Sequence, residues 1–177
     1  MEIEASARIR FPRELVFRTY RDRLPELLPY LPNVRGIQVV SRADEDGGAV
    51  TRLHNLWRAR GEIPRPAQIV LKPDMLAWDD HAVWDERAFT TGWRIQTHAF
   101  RDHVRCAGTN TYTEEGGATV LRIRGQLDVK LERVPGVPAF LSRTIAPLVE
   151  QAIVAMIRPN LLAVADGVGK LLAAEAP

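Results

Sequence analysis

A chain of 177 residues in which 46% are hydrophobic and 26% are charged has the composition of a single globular domain with a substantial core. Its net charge is only +2, and acidic residues are interleaved with the arginines, which argues against a nucleic-acid-binding surface. The single cysteine, Cys106, excludes an internal disulfide and a cysteine-based metal site, so we expect it to be a small core residue.

The N-terminal segment indicates no export signal, because Glu2 and Glu4 are acidic and no apolar run follows them. No uninterrupted apolar stretch reaches the roughly 18 residues that a membrane-spanning helix needs. We therefore expect a cytoplasmic protein with residues 1–177 in one domain and no integral membrane segment. The sequence leaves its oligomeric state open.

The first half of the chain predicts a strand, short helices and then further strands. Apolar and polar residues alternate over residues 2–10, as in a strand with one buried face. Pro12 can open a helix at an early position, and the prolines that follow restrict the next helix to about residues 26–30. Further strands are predicted at 34–41, 49–58, 67–71 and 76–85, with an acidic turn at 43–48.

The second half predicts more hairpins and one long helix. Strands are expected at 89–100, 103–114 and 118–131, joined by tight turns. Residues 140–172 carry a wide apolar stripe at three- and four-residue spacing, and we expect Pro159 to kink or briefly break that helix. Consecutive hairpins make the sheet antiparallel, and the single large helix must cover one of its faces.

This order of elements resembles the START-like helix-grip superfamily (the SRPBCC group, which includes polyketide cyclases and lipid-transfer proteins). The first strand runs into FPRELVF at 11–17, which is similar to that family's strand and Pro-x-x-x-Val-Phe helix. LPNV at 31–34 then leads into the second strand. The closing strand at 121–129, the Pro/Gly break after it and the apolar terminal helix also match. The resemblance covers essentially the whole chain.

The resemblance implies an α+β helix-grip fold, in which a curved antiparallel sheet of about seven strands wraps around a long C-terminal helix, with short helices after strand 1. It also implies an elongated cavity that holds a hydrophobic small molecule such as a lipid, a sterol or a polyketide. A sheet wrapped around one helix leaves such a concavity wherever its inward side chains do not fill it.

Strand parity predicts which side chains face that cavity. Leu121, Ile123, Leu127 and Val129 share a face with Gly125, which we expect to mark a bend or a bulge. On 89–100 the apolar face that includes Trp93 is expected to point inward, with Arg94 and His98 outward. For the strands at 76–85 and 103–114, the pattern does not decide which face points inward.

Asp80 is the carboxylate of greatest interest. With Trp78 and Trp84 inward, Asp80 would be buried and in need of a partner. The alternative is that it lies at a strand end in water. If the protein were an enzyme, general acid–base chemistry would need a titratable group in the cavity, and the candidates are Asp80, His54 and Tyr112.

The expected ligand contacts combine aromatic walls with a polar group and an adaptable helix face. They are Asn55, Trp57, Trp78, Trp84, Trp93, Ile123, Leu127, Leu148, Ala152 and Met156. Each of them could instead simply fill the core. The four histidines have no metal-ligand spacing, and no nucleotide-binding or nucleophile motif is present, so we expect no metal and no cofactor.

Three functions remain open. The leading hypothesis is a non-catalytic binder or carrier of a hydrophobic small molecule. The second is a polyketide cyclase or dehydratase on the same fold, which predicts a buried titratable residue with a shifted pKa. The third is a co-chaperone-like interaction module, which predicts a filled core and an exposed apolar patch.

Overall fold

The computed structural model describes residues 1–60, 63, 65, 68, 72–129 and 138–176. Within the last helix, the side chains at positions 139–141, 145, 152, 155, 156, 158 and 162 lie outside this description. The strand predicted at 67–71 also lies outside it, apart from position 68.

The described elements follow the predicted order. The strands are β1 (Glu2–Ile9), β2 (Val34–Glu45), β3 (Val50–Ala59), β4 (Ala77–Asp85), β5 (Thr90–Thr97), β6 (Val104–Glu115) and β7 (Ala118–Val129). The main helices are α1 (Arg13–Asp22), a 3₁₀ helix (Leu24–Tyr30) and α2 (Ala139–Glu175). Among the described residues, no helix combines the length and the hydropathy that a membrane crossing requires.

All seven strands form one antiparallel sheet in the order β1-β7-β6-β5-β4-β3-β2. Each strand from β2 to β6 pairs with the next strand along the chain, and β1 pairs with β7 instead of with β2. One face of this sheet packs on α2, so the predicted helix-grip architecture is confirmed. Alternation along each strand then decides which side chains point toward the helix.

Two strands differ in length from their prediction. Strand β2 continues to Glu45 because residues assigned to a turn pair across the hairpin: the Thr51 hydroxyl donates to Asp44 at 2.7 Å, and the Arg52 Nε donates to Glu45 at 2.9 Å. The turn is confined to Asp46–Gly48. Strand β5 is shorter than 89–100: Phe89, just before its first residue, has a positive φ angle of 49°, and the chain turns after Thr97, with Phe100 at a φ of 53° inside that turn.

Helix α2 runs without a break through Pro147 and Pro159, so the short break considered at Pro159 does not occur. A proline inside a helix removes one backbone hydrogen bond and crowds the preceding turn. Burial on both sides of Pro159 offsets that cost: Ile157 before it and Val164 after it are almost fully buried. Burial of the apolar stripe therefore keeps the helix continuous through Pro159.

Gly125 does not mark a bulge. The β6–β7 register passes through the Gly108–Gly125 pair without interruption. The ring of Trp93 lies over this pair, and a Cβ added at Gly125 would lie 2.6 Å from Trp93 Cη2. Residue 125 is therefore a glycine because an indole occupies the space of a side chain.

Helix α1 closes one end of the layered core through Phe17, which is fully buried. Its ring makes edge-on contacts with Trp84, Phe89 and Tyr112 at centroid distances of 5.2, 5.3 and 5.1 Å. This aromatic cluster fixes α1 against β4 and β6, and it places the next turn of α1 beside the space between the sheet and α2.

Candidate functional site

A cavity lies between the inner face of the sheet and α2. Its empty volume is about 540 Å³, which includes the space at its mouth. Strands β3 to β6, α1, the 3₁₀ helix and α2 all contribute to its wall. The lining residues are Tyr20, Leu24, Trp57, Trp78, Asp80, Ala82, Trp84, Thr91, Trp93, Ile95, Asn110, Ile157, Asn160, Leu161 and Val164.

The four tryptophans of the chain meet at this cavity, so the tryptophan face of β4 is the inward one. Trp57 and Trp78 are partners on β3 and β4, and their rings stack at a centroid distance of 5.6 Å with an interplanar angle of 14°. Trp84 packs edge-on against Tyr20 at 5.0 Å. The wall is thus formed by aromatic rings whose positions are fixed by strand register and by one another.

Other predicted contacts do not reach the cavity. Asn55 is buried behind Asp80, and Ile123 and Leu127 are buried in the core of β7 without lining the cavity. Leu148 is half-buried on α2 and is not part of the wall either. The predicted contacts Ala152 and Met156 have side chains outside the described set.

Asp80 lies in the middle of β4, and its side chain lines the cavity, so the inward parity holds and the strand-end alternative is wrong. It is half-buried, and its accessible surface faces the cavity. Desolvation raises the pKa of Asp80 to about 6, while the Asn55 amide, which donates to Asp80 Oδ2 at 3.3 Å, and the nearby Trp57 indole favour the ionised form.

A second polar group lies farther along the cavity wall. Trp93 Nε1 donates to Asn110 Oδ1 at 2.8 Å in a buried contact. Asn110 and Tyr112 both point inward, which settles the parity of β6. Burial raises the pKa of Tyr112 far above its usual value, and neighbouring Thr91 and Asn110 only partly oppose this effect. The Tyr112 phenol is therefore neutral and does not line the cavity.

His54 was a wrong candidate for cavity chemistry. It precedes Asn55 on β3 and therefore lies on the outer face of the sheet. There its Nε2 is 2.7 Å from Asp79 Oδ1, and its ring stacks on His81 at 4.4 Å. His98 contacts the other oxygen of Asp79 at 3.0 Å. Within the described ranges, no group of His, Cys, Asp and Glu side chains is placed to hold a metal ion.

Sequence patterns did not reveal the lining residues that come from helices. Tyr20 reaches the wall from α1, and the periodicity of α1 does not show where that helix sits on the sheet. The sequence does point to Asn160, because this polar residue lies at helical spacing between the apolar residues Ile157 and Val164. The structure buries it on the same face. Thr91 shares the inward face with Trp93, but threonine is common in strands and gave no separate signal.

No protein-family model matches the sequence, and no curated protein does. Solved structures do match: TTHA0849 from Thermus thermophilus is 22% identical, with 99% of this chain and 100% of that chain covered and a TM-score of 0.67. The Zhui aromatase/cyclase from a Streptomyces species is 17% identical, with coverage of 96% and 92% and a TM-score of 0.60.

A truncated norcoclaurine synthase from Thalictrum flavum is 18% identical, with coverage of 100% and 95% and a TM-score of 0.57. At these identities the likeness establishes the fold. The chain has the helix-grip fold, and the fold that the sequence resemblance implied is confirmed.

Proposed function

We propose that this protein binds an apolar, ring-containing small molecule in the cavity between the sheet and α2. The observation that carries the proposal is the convergence of four tryptophans and Tyr20 on one cavity wall. Aromatic side chains provide large contact areas with few rotatable bonds, so they bind flat apolar ligands at low entropic cost. A polyketide-like molecule suits this wall better than a long flexible acyl chain.

A polar atom at the cavity supports the same proposal. The indole nitrogen of Trp84 is buried and has no hydrogen-bond partner among the described residues. Buried polar atoms are nearly always paired in native proteins. A ligand that carries a carbonyl or hydroxyl oxygen would accept a hydrogen bond from the Trp84 indole, and it would be oriented by that bond.

Native mass spectrometry of the purified protein, followed by denaturing extraction, tests this function directly. We expect a copurified apolar molecule, and its removal should leave a protein whose tryptophan fluorescence changes when the extract is added back. Ala82→Phe fills part of the cavity and should abolish this response. Val83→Phe makes a comparable change on the next, outward-facing residue of β4, and it should leave the response intact. Equal responses of both variants would contradict the proposed site.

A cyclase or dehydratase activity is the second candidate, and Asp80 is the observation that favours it. A carboxyl group with a pKa of about 6 on an apolar cavity wall is suited to accept and return a proton near neutral pH. The copurified molecule should then be consumed when it is incubated with catalytic amounts of protein. Asp80→Asn should stop this turnover and retain binding.

The interaction-module alternative receives less support. It requires a filled core and an exposed apolar patch, whereas the inner face of the sheet contains a cavity. The large hydrophobic residues exposed in the described part of the chain are Met1, Leu15, Val39 and Val40. Val39 and Val40 are neighbours on one edge strand, and such an isolated pair is ordinary for a protein surface.

A further inference from the structure

The cavity carries a charge as well as an aromatic wall. Asp80 is the charged side chain among the described lining residues, which include no lysine, arginine or histidine. A ligand that carries a carboxylate would therefore place a second negative charge in this apolar space without a basic side chain from the described wall to balance it. Like charges in such a space repel strongly, because water does not screen them.

We propose that the ligand is an organic cation: an apolar amine whose ammonium group pairs with the carboxylate of Asp80 while its rings pack on the tryptophans. This inference rests on the proposed binding function and names the class of ligand. It assigns Asp80 as the residue that selects the charge of the ligand.

The contacts of Asp80 leave room for such a partner. Within the described residues, the Asn55 amide donates to its carboxyl group at 3.3 Å, and the Trp57 indole is the other neighbouring donor that favours its ionised form. An ionised carboxylate offers about four acceptor positions, and carboxylates away from bulk water are normally paired with a cation. The accessible side of Asp80 faces the cavity, so a ligand ammonium can reach it.

Strand register places aromatic rings beside the carboxylate. Asn55–Asp80 and Trp57–Trp78 are cross-strand pairs two residues apart on β3 and β4, so they are neighbours on the same inner face. An ammonium group held by Asp80 therefore lies next to a stacked tryptophan pair. Tryptophan is the side chain that binds cations best through its ring face.

A small residue leaves space on the other side of Asp80. Ala82 is the next inward residue of β4, and its partner across the strands is Trp93. A short side chain between Asp80 and Trp84 keeps the carboxyl accessible from the cavity. Because the pKa of Asp80 is about 6, the carboxylate is mostly ionised at neutral pH and can pair with a cation there.

Isothermal titration calorimetry at neutral pH with matched probes tests the inference. Naphthylmethylamine, naphthylmethanol and naphthoic acid, all substituted at the same ring position, share one apolar group and differ in charge. We expect the amine to bind about tenfold more tightly than the alcohol, and the acid to bind most weakly, as one buried charge-assisted hydrogen bond would give.

Two variants test whether Asp80 causes the preference for the amine. Asp80→Asn keeps the shape of the side chain and removes its charge, so the affinity for the amine should fall to the affinity for the alcohol. Asp79→Asn makes the same change on the preceding residue, whose side chain lies on the outer face of the sheet, and it should leave the preference for the amine unchanged. Loss of the preference in Asp79→Asn would overturn the assignment to Asp80.

The ranking of the probes on the unmodified protein needs no variant and decides the inference by itself. If the acid binds as tightly as the amine, the cation assignment is wrong while the proposed binding function stands. If none of the probes binds, both the binding function and the cation assignment are contradicted.

Discussion

Asp79 and Asp80 are successive residues of β4, yet their pKa values are shifted in opposite directions. On the outer face, partial burial of Asp79 acts to raise its pKa, but hydrogen bonds from His54 and His98 outweigh this effect and hold the pKa below its usual value. On the cavity side, desolvation of Asp80 prevails and raises its pKa to about 6. The face of the sheet, and not the residue type, sets the charge behaviour of each carboxyl.

Asp80→Asn should stabilise the protein at neutral pH. The folded-state pKa of Asp80 is raised, so its contribution to stability is present below the unfolded-state pKa of 3.8 and is lost as the pH rises through about 6. Asparagine does not ionise, and the variant should gain about 2 kcal/mol in the free energy of unfolding at neutral pH. Urea denaturation measures this gain, which should shrink below pH 4.

Asp79→Asn is a control that should change the free energy of unfolding in the opposite direction. The folded-state pKa of Asp79 is lowered, so its contribution is present above the unfolded-state pKa and is lost as the pH falls through the folded-state value. The variant should lose about 1 kcal/mol at neutral pH because contacts with two histidines are weakened. A gain in stability from Asp79→Asn, or a loss from Asp80→Asn, would contradict this account of β4.

Gly125→Ala should destabilise the protein by displacing Trp93. The new Cβ would lie 2.6 Å from Trp93 Cη2 and 2.8 Å from the backbone oxygen of Ala107, and neither strand can move easily within a seven-stranded sheet. We expect a loss of about 3 kcal/mol and an altered tryptophan emission spectrum. Gly92→Ala is the matched control, because a Cβ there meets nothing within 4 Å. Equal thermal stability of the two variants would be inconsistent with the packing of Trp93.

Arg21 and Arg18 both bind Glu86, but only Arg21 is buried, with a side-chain exposure of 9% against 59% for Arg18. Arg21 also holds Asp22 through Nε and Nη2, at 2.8 and 2.9 Å. Arg21→Ala should therefore cost about 2 kcal/mol, since it removes buried packing together with the buried hydrogen bonds to Asp22 and Glu86. Arg18→Ala should cost about 0.5 kcal/mol, as is typical of an exposed ion pair. Chemical denaturation measures the loss of unfolding free energy in each variant. Equal losses would show that the buried contacts of Arg21 add no stability.

Cys106 should resist alkylation in the folded protein. Burial, together with the negative charge of Asp80, raises the pKa of its thiol to about 12, so almost no thiolate is present near neutral pH. Iodoacetamide should label the native protein slowly and the denatured protein completely, as measured by intact mass. Rapid labelling of the native state would show that the core around β6 opens more easily than its burial indicates.

Sequence patterns predicted most of the fold because the sheet is built from strict alternation. The inward tryptophans and the outward positions of Arg94 and His98 follow from a period of two residues, once one face is known to be apolar. The extension of β2 through Asp44 and Glu45 was not predictable in this way. Those acidic residues are held by partners on β3, and a single strand does not reveal its cross-strand contacts.

The candidate site was predicted only in its sheet half. Asp80 and the four tryptophans were candidates on the assumption that the tryptophans of 76–85 point inward, whereas Tyr20 and Asn160 reach the cavity from helices whose placement depends on tertiary packing. His54 was proposed for its chemistry, but it alternates with Asn55 and Trp57 along β3 and so lies on the opposite face of the sheet. Parity was the stronger physical argument, and the structure agrees with it.

The pairing of β1 with β7 determines when this molecule can complete its fold. The first and last strands of the sheet meet directly, and the backbone amine of Met1 donates to the carbonyl of Leu127 across a separation of 126 positions. Contacts so distant in sequence close large loops late and slow the folding reaction. During synthesis on the ribosome, β1 therefore emerges first and has no strand to pair with until nearly the whole sheet has followed it.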